Sequence, residues 1–159
     1  MNKWMGRVAA LIALAGVGLS AAPAQAAPAM KIGLRVEKLN RVDQPGGFKV
    51  YIRVVVPMTQ AQAQAAKDAG YRIRTSLWGE DLLSDDLMWG PVNFPLYQAT
   101  PQGLEIDSFV FLSRKTMDED ADYEPYFSGD EAYLYAEYVN PAGRALQNVR
   151  SKTVHYTAF

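Results

Sequence analysis

Cysteine is absent from the chain of 159 residues, and histidine occurs once, at position 155. Without thiols there can be no disulfide, no thiolate zinc site and no cysteine nucleophile. A Ser-His-Asp triad would have to be built on His155, which falls in a strand-like tail, and no nucleophile-elbow sequence occurs anywhere. One imidazole without thiols is also a poor start for zinc, so His155 reads as an ordinary strand residue. Long apolar runs are equally scarce. Only Val8–Ala22 qualifies, and at roughly 15 residues it is shorter than the ~20 that a permanent spanning helix needs.

That single run has the setting of an export signal. Lys3 and Arg7 precede it without any acid, and Ala24-Gln25-Ala26 follows it as an A-x-A cleavage pattern. The expectation is a cleaved signal peptide over 1–26 and one mature domain over 27–159. With no cysteine near the cut, lipid attachment is excluded. The mature protein is expected to be exported, extracellular or periplasmic, and soluble.

What the chain does contain points to strands. Nine tyrosines, six phenylalanines and three tryptophans accompany many β-branched residues, a composition suited to half-buried pleated surfaces. Charge is divided along the chain. Residues 27–79 carry nine basic and three acidic side chains, whereas residues 80–131 carry thirteen acidic side chains against Arg114 and Lys115 alone. The folded molecule is expected to be electrically lopsided.

Alternation predicts seven strands. Ile32, Leu34 and Val36 alternate with Lys31, Gly33, Arg35 and Glu37 in the first. Phe48, Val50, Ile52, Val54 and Val56 share one face of the second, opposite Lys49, Tyr51 and Arg53, until Pro57 ends it. Thr59-Gln60-Ala61-Gln62 fits a capping box, and Gly70 suits a helix C-terminus, so one short helix with an alanine face is expected between them. Tyr71–Leu77, Val92–Gln98, Gly103–Leu112, Ala132–Val139 and the tail to Phe159 supply the remaining strands. On the fifth, Phe109 and Phe111 share a face with Glu105 and Asp107, an unusual position for two phenylalanines. Seven short strands and one helix favour an all-β, two-sheet antiparallel β-sandwich of immunoglobulin-like or C2-like layout.

Two constellations carry chemistry. Asp118, Asp120 and Asp122 have the 1-3-5 spacing of a calcium loop, but Tyr123 and Gly129 stand where an EF-hand needs glycine and glutamate. Strand alternation brings the loop containing Asp85 and Asp86 to the same end, so the five aspartates form a candidate Ca2+ site, set against a simple solvated acidic rim. The basic residues Lys31, Arg35, Lys49, Arg53, Arg72 and Arg74 occupy the polar sides of the first three strands. Of these, Arg53, Arg72 and Arg74 are the candidate ligand-binding residues, for an anionic polymer or surface. No motif for specific nucleic-acid recognition is present. Trp78 and Trp89 bracket the first acidic loop, either pinning it to the sandwich or stacking on a ligand. The expected function is a non-enzymatic binding or structural module. A small hydrolase using paired carboxylates and a small outer-membrane β-barrel are the competing classes.

Overall fold

The computed structural model describes residues 28–41, 44–80, 84–95, 97–117 and 130–156. The expected signal segment lies outside the described residues. Two antiparallel sheets face each other across an apolar core, so the protein is an all-β sandwich.

The first sheet, sheet A, is laid down by β1 (Lys31–Arg41) and β2 (Gln44–Pro57), an antiparallel hairpin with a bulge between Leu39 and Asn40. Alternation works on β2 as the sequence suggests: Phe48, Val50, Ile52 and Val54 are sealed inside, and Lys49, Tyr51 and Arg53 face outward. Each fully buried side chain of this size contributes roughly 1.5–3 kcal/mol of apolar burial. Then α1 (Gln60–Asp68) carries the chain across to the other sheet. Its start is the expected capping box: Gln62 N donates to Thr59 Oγ1 at 3.2 Å, and Thr59 N donates to Gln62 Oε1 at 2.9 Å. Most of the helix lies on the surface, but Ala63 is fully buried and joins the core, so its alanine face is a docking face.

Sheet B is built around β3 (Arg72–Gly79), flanked by β4 (Asp86–Asn93) and β7 (Asp130–Val139). The fourth strand lies earlier than the alternation suggests. It ends before Pro95, and a separate short strand, β5 (Gln98–Thr100), crosses back to sheet A. The register of β4 against β3 shifts twice, between Thr75 and Leu77 and between Leu77 and Trp78, and such bulges erase the period of two. Gly90 lies in this irregular stretch with φ +90°. A Cβ there would lie 2.7 Å from the Thr75 carbonyl oxygen, so the close approach of β4 to β3 requires glycine.

β6 (Gly103–Leu112) matches the sequence expectation and completes sheet A in the order β1-β2-β6-β5. A single turn of helix, α2 (Arg114–Met117), follows, with Met117 buried in the core. The expected seventh strand is broken into β8 (Ala145–Arg150) and β9 (Val154–Tyr156), both paired with β7. Ser151 makes the break tolerable: its N donates to Leu134 O, and its Oγ accepts from Leu134 N, each at 2.9 Å. The side chain thus replaces a missing ladder bond.

Candidate functional site

The connection through α1 decides which charged side chains are neighbours. Because β2 and β3 belong to different sheets, Arg53 faces out from sheet A, and Arg72 and Arg74 belong to sheet B. The structure therefore does not bring the three candidate arginines together. Lys31, Arg35, Lys49 and Arg53 share the outer face of sheet A, while Arg74 is bound to Glu137 by a 2.7 Å ion pair. That hydrogen bond raises the pKa of Arg74, holding the pair charged.

At the acidic end, Gly79 pairs with Ala132, and Glu80 N donates to Glu131 O at 3.1 Å. The end of β3 and the start of β7 thus lie side by side at one end of the sandwich. Asp85 accepts a 2.7 Å hydrogen bond from Tyr133 Oη, and Asp86 is the exposed first residue of β4. Asp118, Asp120 and Asp122 lie outside the described residues. Among the described residues, no three His, Asp or Glu side chains converge as a metal-ligand set. Next to Asp85, Arg150 bonds Glu80 at 2.6 Å and lies 3.6 Å from the Tyr133 ring centroid, while Thr153 Oγ1 donates to Glu80 Oε2. The Thr153 and Arg150 contacts hold the Glu80 carboxyl below its ordinary pKa. Burial, with the Asp85 hydrogen bond, pushes the Tyr133 hydroxyl up to about 12. Trp78 is half-buried, its Nε1 donating to Ser76 Oγ at 2.8 Å, and Trp89 meets Phe94 edge-on. His155 is an exposed β9 residue, its Nδ1 3.1 Å from Glu131.

The outer face of sheet A has a different character. The register of β1, β2 and β6 stacks it in rows along the strands: Gly33–Arg53–Asp107, then Arg35–Tyr51–Phe109, then Glu37–Lys49–Phe111. Phe109 is 44% exposed and Phe111 54%, values far from those expected of phenylalanine in a folded domain. The two rings meet edge to face at 5.2 Å, and Phe109 tilts against Tyr51 at 6.1 Å. Cations cover the inner rings: the Arg35 guanidinium lies 3.8 Å from the Tyr51 centroid, and Lys49 Nζ lies 4.5 Å from Tyr51 and 4.0 Å from Phe109.

Beside this cluster, a shallow depression of about 210 Å3 is lined by Gly33, Arg35, Tyr51, Arg53 and Asp107, among others. Arg53 commits Nε and Nη2 to Glu105, at 3.0 and 2.9 Å, and Nη2 also reaches Gln102 at 3.3 Å. Its Nη1 and the Asp107 carboxylate have no hydrogen-bond or ion-pair partner among the described residues. Sequence parity places Phe109 and Phe111 on the polar side of their strand. Their proximity to Tyr51 and Arg35 depends on the pairing of β6 with β2, which local pattern does not specify. Compared with protein-family models, curated proteins and solved structures, the chain matches none.

Proposed function

We propose that this protein is an exported, non-enzymatic binding module that presents the outer face of sheet A to its partner. The observation that carries the reading is the exposed pair Phe109 and Phe111 beside Tyr51, with Arg35 and Lys49 held over the inner rings. Exposed aromatic rings flanked by cations combine apolar contact area with attraction for an anion, which suits recognition of an extended anionic partner. The rigid sheet holds these groups in place at little entropic cost on binding.

At the acidic end, Glu80 is not set up as a general acid. A general acid needs a carboxyl pKa raised towards neutrality, whereas Glu80 is held down by donors. No helix among the described residues is long and apolar enough to cross a membrane. The outward rows of sheet A carry Arg35, Glu37, Lys49, Arg53 and Asp107, charges that suit water better than a lipid-facing belt.

Retention of residues 27–159 on heparin and on an uncharged agarose control tests the reading. The unsubstituted domain is expected to be held on heparin and to elute at clearly higher salt than Lys49→Gln/Phe111→Ser. Equal elution of the two, or turnover of a glycoside that one carboxylate substitution abolishes, would overturn it.

A further inference from the structure

Gly33 is the least expected residue on the outer face of sheet A. It sits in the interior of β1, where the register against β2 is regular on both sides, so no bulge calls for it. A Cβ added there would meet nothing nearer than Arg53 Cβ at 3.9 Å, an ordinary contact. Its φ is outside the left-handed region. A glycine inside a strand weakens it by about 0.5–1 kcal/mol relative to alanine. The fold has no use for this glycine, and such positions often mark close approach by a ligand. Gly33 lines the depression together with Arg35 and Arg53.

From this we infer that the Gly33 depression is a subsite for one ring of an acid-bearing saccharide chain, which continues over Tyr51 towards Phe109 and Phe111. The inference rests on the binding face proposed above and names the ligand chemistry. The groups around the depression suit hydroxyls and an acid together. Arg53 Nη1 offers a donor without a partner among the described residues, and Arg35, held on the Tyr51 ring with Nη1 only 3.6 Å from exposed Glu37, offers a fork that a ligand carboxylate can take over from that long contact. Asp107 offers an acceptor, which a saccharide hydroxyl satisfies and a bare anionic chain would be repelled by. The depression is shallow, about 210 Å3, below the size of a typical drug-sized ligand pocket. From the Gly33 row to the Phe111 row is about 14 Å along the strands, and the rings there present apolar faces to the C–H side of a sugar.

Affinity electrophoresis of residues 27–159 through gels containing polygalacturonate, neutral dextran or single-stranded DNA tests this, with Gly33→Val as the diagnostic variant. Valine fills the depression and favours a strand, so the variant should melt at the same temperature as the parent or higher. The expected result is retardation by polygalacturonate and not by dextran, weakened at least tenfold in Gly33→Val and in Arg53→Gln. Retardation by dextran to the same extent, or no retardation by polygalacturonate at low salt, overturns the inference. Stronger retardation by DNA, lost in Phe111→Ser, would overturn the saccharide assignment and leave the binding face standing. Retardation unaffected by Gly33→Val and Phe111→Ser alike would overturn both.

Discussion

The two sheets of the sandwich engage their charged and aromatic side chains to different degrees, although sheet B also exposes Leu87 and Leu146. On sheet B, Arg74 is tied to Glu137, Arg150 to Glu80 and to the Tyr133 ring, Tyr133 to Asp85, and Trp78 to Ser76. The Tyr133 ring is buried, and each of these polar groups is engaged within the domain. On sheet A, Phe109 and Phe111 stand exposed, Lys49 is stacked on rings, and Arg53 and Asp107 retain uncommitted atoms around a depression. A closed network stabilises a fold, because its hydrogen bonds are all satisfied internally. A face with exposed rings and spare donors has interactions left to offer a partner. On the function proposed here, the face of sheet A serves recognition and the face of sheet B serves stability.

The largest expected effect contrasts two glycines. Gly90→Ala forces a Cβ to 2.7 Å from Thr75 O at a φ of +90°, so sheet B should lose about 2–4 kcal/mol by chemical denaturation. An alanine tolerated at position 90 would show that β4 does not rely on this close approach, and would weaken the picture of sheet B as the constrained face.

Next in size is a pair of arginine truncations, one on each face. Arg150→Ala removes the Glu80 ion pair and the cation over Tyr133, and should cost about 1–2 kcal/mol. Arg35→Ala removes a cation over Tyr51 and a long 3.6 Å contact to exposed Glu37, so its cost should stay near ~0.5 kcal/mol. Equal costs in urea unfolding would erase the distinction between the faces.

An effect of the same order lies in alkaline stability. Tyr133 is pushed up to about 12, above its ordinary value of 10.0, so the native domain keeps a proton that the unfolded chain loses first. The stabilisation is complete below pH 10 and disappears as pH rises from about 10 to 12, a loss of about 1–2 kcal/mol. Tyr138 is raised as well, by burial, and adds to the same decline. Tyr133→Phe should therefore flatten the fall above pH 10, and an unchanged slope would contradict the buried network at this end.

Much of the architecture could be read locally. The alternation of β2 and β6, the Thr59–Gln62 capping box and the bound on Gly103–Leu112 are each contained within one element, where side-chain period and cap chemistry are decisive. Positions 86–91 resisted because two register shifts and Gly90 break the alternation, and the tail resisted because Ser151 substitutes a side chain for a backbone bond. The site was legible only in fragments. Phe109 and Phe111 announce themselves by falling beside Glu105 and Asp107, whereas grouping Arg53 with Arg72 and Arg74 failed because α1 changes sheets between them. Gly33 shows locally only as a glycine inside an alternating strand. Its meaning depends on the facing Arg53 and on a strand register that no turn residue or cap would break without it.

The division of labour between the faces is tested most directly by two-dimensional NMR of residues 27–159 titrated with oligogalacturonate. The account predicts saturable shifts concentrated at Gly33, Arg35, Tyr51, Arg53, Phe109 and Phe111, with Arg74, Trp78, Tyr133 and Arg150 unmoved. Shifts centred on Tyr133 and Arg150, or spread evenly over both sheets, would contradict it.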